Sequence, residues 1–143
     1  MLGLDVGDRR IGVSYADGLG LTAQGLETFE RKGMEYDLRY MSGLIANRGV
    51  KTLVVGLPRN MDGTEGPQSQ KVREFIGQVL SRLENYPAPE VVWWDERLTT
   101  VAAHRIMLEG DLSRKKRKGK VDKIAAVLIL QGYLDRLAYR RKD

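Results

Sequence analysis

Four carboxylates in this 143-residue chain fall where an α/β sheet gathers its chemistry. Asp5 lies near the end of an alternating apolar run, Asp95 and Glu96 close another, and Asp122 opens the last apolar stretch. In such sheets ligands collect beyond the carboxyl ends of parallel strands. Acids packed together raise one another's pKa unless a cation sits among them, and an all-oxygen donor set suits Mg²⁺ or Mn²⁺. Each acid alone also has a structural reading. Asp5 can pair with Arg9 or Arg10. Asp95 can cap the helix that follows, as can Thr99 or Thr100. Asp122 in a first helical turn gains about 0.3–1 kcal/mol from the helix dipole. Convergence from three separate segments is what favours a site.

The positive charge is just as localised. Arg114, Lys115, Lys116, Arg117, Lys118 and Lys120 place six cations within residues 113–120, and removing six from the net +5 leaves the rest of the chain at −1. A block of like charge resists collapse, so the octet is expected to be a mobile loop. Such a block either forms a solvated tract or neutralises phosphates and releases their counterions. Arg10 and Arg97 are further candidates for phosphate contacts, with structural pairing as the alternative. Asp5 to Gly12 (Asp-Val-Gly-Asp-Arg-Arg-Ile-Gly) fits either a tight turn or a loop whose glycines let backbone approach an anion.

Composition excludes other chemistries. With no cysteine there is no disulfide framework, thiolate metal site or cysteine nucleophile. With His104 alone, a Ser-His-Asp relay or histidine-rich zinc site is not expected. Trp93 and Trp94 read as core and sheet-face residues. No apolar run approaches the roughly 20 residues of a membrane span, and the chain opens without a basic region or apolar signal core. A cytoplasmic protein of one domain, residues 1–143, is the expectation.

The elements that hold these residues follow from periodicity. Residues 1–6 alternate Leu2, Leu4 and Val6 against Met1, Gly3 and Asp5. Strands are also predicted over 11–16 and 21–29, joined at Asp17-Gly18. Leu38, Met41, Leu44 and Ile45 predict a helix over 35–48 ending at Gly49. Residues 52–57 read as a doubly buried parallel strand. The spacing of Val72, Phe75, Ile76, Val79, Leu80 and Leu83 makes an amphipathic helix. A strand over 91–94, a helix over 98–109 and a final buried helix over 121–139 complete the chain. The order predicts an α/β fold: a mixed five-stranded sheet, three antiparallel strands and then two parallel, with helices on both faces.

Four segments carry a resemblance. Leu4-Asp-Val-Gly-Asp-Arg-Arg10-Ile-Gly12-Val, Val55-Gly-Leu-Pro58-Arg-Asn-Met-Asp-Gly63-Thr, Asp95-Glu-Arg-Leu-Thr-Thr100 and Lys120-Val-Asp122-Lys-Ile-Ala-Ala-Val-Leu-Ile-Leu-Gln131 resemble the four blocks of the YqgF/RuvX family. The likeness runs essentially end to end. It implies a RuvC-like nuclease of the RNase H fold, dependent on Mg²⁺ or Mn²⁺ and acting on RNA. The family is associated with maturation of the 5′ end of 16S ribosomal RNA and, by fold analogy, with Holliday-junction DNA. Carried over block by block, Asp5, Glu96 and Asp122 resemble the catalytic metal-binding acids. RNase H-type sites often carry a fourth acid on the last helix, but Asp122 has Gly119 and Ala125 three residues to either side. Asp95 is the remaining candidate for that role. The implied partner is a ribosomal RNA precursor, free or on a ribosomal particle, or else branched DNA, bound by a monomer or homodimer. Two rivals are a catalytically silent RNA-binding assembly factor and an actin-like phosphotransferase, the latter needing a second lobe that 143 residues do not supply.

Overall fold

The computed structural model describes residues 1–17, 22–98 and 114–141, with side chains in the last segment from Lys123 to Arg140. Strands β1 (Leu2–Val6), β2 (Arg10–Tyr15) and β3 (Gln24–Glu30) form an antiparallel meander. Helix α1 (Met34–Arg48) then leads to β4 (Thr52–Leu57), and α2 (Pro67–Ser81) leads to β5 (Glu90–Asp95). A 3₁₀ turn, Glu96–Leu98, follows β5, and a long helix, α3 (Arg114–Arg141), closes the described chain. The sheet order is β3-β2-β1-β4-β5, with β1, β4 and β5 parallel. The expected mixed five-stranded sheet is therefore present.

Alternation in the strands sorts the core into two layers. Leu2, Leu4, Ile11, Val13, Leu53, Val55 and Leu57 face α1 and α2. Val54 and Trp94 face α3, meeting Ala125, Ile129 and Leu130. Gly3 and Asp5 share that second face, by alternation with buried Leu2 and Leu4.

Helix α3 lies close to the sheet because the residues beneath it are small. A Cβ on Gly3 would stand 2.4 Å from Ser14 Oγ, 2.7 Å from Leu130 Cβ and 2.9 Å from the Ala126 carbonyl oxygen. The buried Ser14 hydroxyl donates to that same carbonyl at 2.7 Å, and the Ala23 amide donates to Gln131 Oε1 at 2.8 Å. Lys123 packs on Gly25, Ala126 on Ser14 and Gly3, and Leu130 on Gly3. Because Gly25, Ser14 and Gly3 are in register across β3, β2 and β1, α3 crosses the strands here.

Arg31 fixes the end of β1 from the other side. Its Nη1 donates to the Gly7 carbonyl at 3.0 Å and its Nε to Asp37 at 2.9 Å, while its guanidinium lies 4.6 Å over the Phe75 ring.

Several boundaries differ from the periodicity. The octet, expected as a loop, is helical from Arg114 onward. Lys and Arg are among the better helix formers, and each like-charge i,i+4 pair opposes a helix by only about 0.2–0.5 kcal/mol. Helix α2 starts at Pro67, before its apolar stripe, because proline is preorganised for a first turn. Strand β3 begins at Gln24, not residue 21. Residues 99–113, which include most of the predicted helix over 98–109, Thr99, Thr100 and His104, lie outside the described residues, as do residues 18–21. No helix among the described residues is long and apolar enough to cross a membrane.

If α3 bears directly on β1, then Gly3→Ala should destabilise the fold by about 1–3 kcal/mol through overpacking. Ser14→Ala should cost about 1 kcal/mol for its lost hydrogen bond. Urea denaturation of both variants checks this; an unchanged midpoint for Gly3→Ala would show that the helix is not held against the strand.

Candidate active site

Asp5 and Glu96 are brought to one end of one sheet face. Leu4 pairs with Val55 in the parallel β1–β4 ladder, so Asp5 and Gly56 are next along adjacent strands, which run about 4.8 Å apart. Glu96 extends from the 3₁₀ turn after β5 over that glycine. A Cβ on Gly56 would stand 2.8 Å from Glu96 Oε1 and 2.4 Å from Ile129 Cδ1. Asp5 is buried. An acid at 5 thus shares a glycine-floored recess with the carboxylate of Glu96. Their donors are hard oxygens of the kind that suits Mg²⁺ or Mn²⁺.

Asp122 lies on α3, one turn before Ala126, whose carbonyl borders Gly3. The side chain of Asp122 lies outside the described residues, as do those of Arg114, Lys115, Lys116, Arg117, Lys118 and Lys120. Among the described side chains no three acids form a cluster that would hold a metal.

Asp95, one residue from Glu96, is placed differently. By alternation along β5 it belongs to the α1–α2 face, and Arg97 grips it. Nη2 of Arg97 donates to Asp95 Oδ2 at 2.7 Å, Nε reaches both carboxylate oxygens at 3.1 Å, and the Arg97 amide donates to Oδ1 at 2.9 Å. These bonds to Arg97 hold the Asp95 carboxyl below the usual carboxylate range. Arg59 Nε adds a longer approach of 3.8 Å to Oδ2. Arg97 also donates through Nη1 to the Met61 carbonyl at 3.2 Å, so its side chain is engaged within the protein.

Arg10 opens β2, opposite Glu30 and two residues before the partner of Asp5. The turn between β1 and β2 is closed by the Gly7 amide donating to the Arg10 carbonyl at 2.8 Å. That amide is therefore committed to the hairpin, which favours the tight-turn reading of Asp5 to Gly12 over a phosphate cradle.

Periodicity did not single out Gly3, Ser14 or Gly56, although they shape the recess. Their signal was available, since glycine inside a strand often marks close approach of another backbone.

Comparison with known proteins agrees with the fold. The RuvX family model, described as a Holliday junction resolvase, matches residues 1–136. A Clostridium tetani protein named "Putative pre-16S rRNA nuclease" is 56% identical over 135 residues, 94% of this chain and 95% of its own length. A Halothermothrix orenii protein of the same name is 52% identical over 135 residues, 94% of each chain. Among solved structures, Thermus thermophilus RuvC in complex with a Holliday junction substrate superposes with a TM-score of 0.56 at 16% identity, over 96% of this chain and 94% of that one. Fowlpox virus resolvase with Holliday junction DNA gives 0.52 at 10% identity, covering 96% and 99%. These two share the RuvC-like RNase H fold of the five-stranded sheet. With a family model spanning nearly all of its residues and relatives more than half identical, this chain belongs to the RuvX family.

Proposed function

We propose that this protein is a divalent-metal-dependent nuclease that hydrolyses phosphodiester bonds in RNA, with the pre-16S rRNA in its relatives' names as its natural substrate. The observation that carries the reading is Asp5 and Glu96 sharing a glycine-floored recess at the carboxyl ends of β1 and β4. Asp5, Glu96 and Asp122 would hold the metal. When bound, Mg²⁺ or Mn²⁺ supplies charge neutralisation at the phosphate and an acidified water.

The rest of the work belongs to the chain. Gly56 leaves the Glu96 carboxylate room over the sheet, and the Ser14–Ala126 bond sets the height of α3. Asp95 and Arg97 brace the loop after β4, and we assign Asp95 to that bracing and not to the metal. Arg10 and the six cations from Arg114 to Lys120 contact flanking phosphates, which gives affinity without sequence choice. Preference for one cleavage position then comes from the particle or the shape of the RNA. The family description makes a four-way DNA junction the second substrate to test.

The experiment is cleavage of labelled RNA and of four-way DNA junctions with Mn²⁺, Mg²⁺ or EDTA. Asp5→Asn, Glu96→Gln and Asp122→Asn should each abolish cleavage and leave the fold intact. Gly56→Ala should lower the rate by up to about 100-fold, because small misplacements of a positioning group are costly. Activity retained in all three acid variants would sink the mechanism, and loss on Asp95→Asn with Glu96→Gln unaffected would reverse the assignment of that pair.

Metal binding is checked separately. Mn²⁺ should raise the melting temperature of the wild type by mass action on the folded state. It should do little for Asp5→Asn. Equal shifts would remove Asp5 from the site.

Alanine at Arg114, Lys115, Lys116 and Arg117 should weaken RNA binding and flatten its salt dependence. For single strands log K falls with log [salt] at about −0.7 per phosphate neutralised. Four lost contacts would therefore change the slope by up to roughly 3. Titrations at several salt concentrations decide it, and parallel slopes would place the RNA surface elsewhere.

A further inference from the structure

On the α1–α2 face of the sheet, a groove of about 480 Å³ lies between the two helices at the end of β1. Buried Val6, Val72 and Phe75 line its base, and exposed Met34 stands at its edge. Ligand clefts span about 300–1,000 Å³, and α/β sheets place them beyond the carboxyl ends of strands. The groove meets both conditions. One wall carries an arginine that is already held in place. Arg31 lines the groove with its guanidinium bonded to the Asp37 carboxylate and the Gly7 carbonyl and lying over the Phe75 ring. Its side chain still keeps 16% exposure.

The rim groups, by contrast, are loosely engaged. Gln68 Nε2 reaches Asp8 Oδ1 at 3.5 Å and Lys71 Nζ reaches the same oxygen at 3.9 Å, both long for hydrogen bonds. Gln68, Lys71, Glu74 and Gln78 recur along α2 at the spacing of one helix face, so one wall offers both donors and acceptors. Two cations, Arg31 and Lys71, are set against three carboxylates, Asp8, Asp37 and Glu74. The groove is therefore net negative and repels a phosphate. It suits a neutral, flat group with an apolar face and an edge of N–H and carbonyl groups, which is the chemistry of a nucleobase. Continuity with the acids supplies one. Val6 and Gly7 line the groove and follow Asp5 directly, so Gly7 stands about 6.6 Å beyond Asp5 along the chain. An RNA strand with a phosphate at Asp5 brings a neighbouring base to the groove by turning around the end of β1.

We propose that this groove takes one unpaired base of the RNA, from a nucleotide beside the cleaved phosphate, stacked on Arg31 and bonded at its edge by Gln68, Lys71 and Gln78. The inference rests on the nuclease reading and adds a subsite that sets the register of the strand over the acids. Unpaired RNA bases stack on guanidinium planes and are held along their hydrogen-bonding edges. The bonds to Asp37 and Gly7 fix the guanidinium before RNA arrives, so little entropy is lost there on binding. Asp8 and Glu74 keep the flanking phosphates out of the groove.

The test is an abasic scan. Single abasic sites are walked along the single-stranded 5′ extension of a hairpin RNA, and affinity is measured with the Asp5→Asn protein, so that no strand is cut. At one position the missing base should weaken binding about tenfold, the worth of a stacked base. A second protein also carries Gln68→Ala and Gln78→Ala, which helix α2 tolerates because alanine is a strong helix former. There the intact RNA should bind several-fold more weakly, and the same abasic site should change affinity by less than about twofold, because base and groove are coupled. The wild type with Mn²⁺ should cut beside that nucleotide, and a cut elsewhere overturns the subsite. RNA that is bound and cut with no sensitive position, or an equal abasic effect in both proteins, overturns the subsite and leaves the nuclease standing. A groove-dependent position in a protein that cuts no RNA keeps the subsite and overturns the nuclease. Failure to bind RNA overturns both.

Discussion

Everything at the recess depends on how closely α3 can approach the sheet. The contact that sets this distance is the buried Ser14 hydroxyl bonded to the Ala126 carbonyl, beside Gly3, whose missing Cβ leaves the space that Leu130 and Ala126 occupy. A larger residue at Gly3 would push the helix outward, and Asp122 is carried on that helix. A carbonyl inside a helix already has an intrahelical partner, so the serine adds a second bond to it without leaving a buried group orphaned. The constraint is thus one of shape first and of hydrogen bonding second.

The same face is completed by a second small residue. Gly56 accommodates Ile129 and the Glu96 carboxylate together, so packing and chemistry compete for a single Cβ's worth of room. Helix, β4 and the 3₁₀ turn after β5 are coupled there. A change made to improve packing at Gly56 would be felt by the carboxylate, which is why stability and activity are expected to separate at this position.

Neighbouring acids meet different surroundings through the pleat and the turn that follows it. Asp95 is still within β5 and lies on the α1–α2 face, where Arg97 and Arg59 take it up. Glu96 begins the 3₁₀ turn and reaches the α3 face. Arg97 in turn bonds the loop after β4. The turn that carries Glu96 and the loop after β4 are therefore joined through the Arg97 side chain.

Much of this was legible in the residues. Alternation of Leu2, Leu4 and Val6 against Gly3 and Asp5 assigned the faces of β1, because a strand's period of two is local and strict. The continuous apolar run 52–57 marked a doubly covered strand, and the four blocks pointed to the family. Charge counting misjudged residues 114–120, since repulsion among exposed cations is weak beside helix propensity and an existing helix to extend. The different surroundings of Asp95 and Glu96 were not readable from periodicity. They depend on Arg97 folding back and on the empty space over Gly56, both set by strands brought together from distant parts of the chain. Local periodicity decided which residues face which way; only the tertiary packing decided which of them meet, because contact across strands depends on the sizes of residues that no local pattern relates.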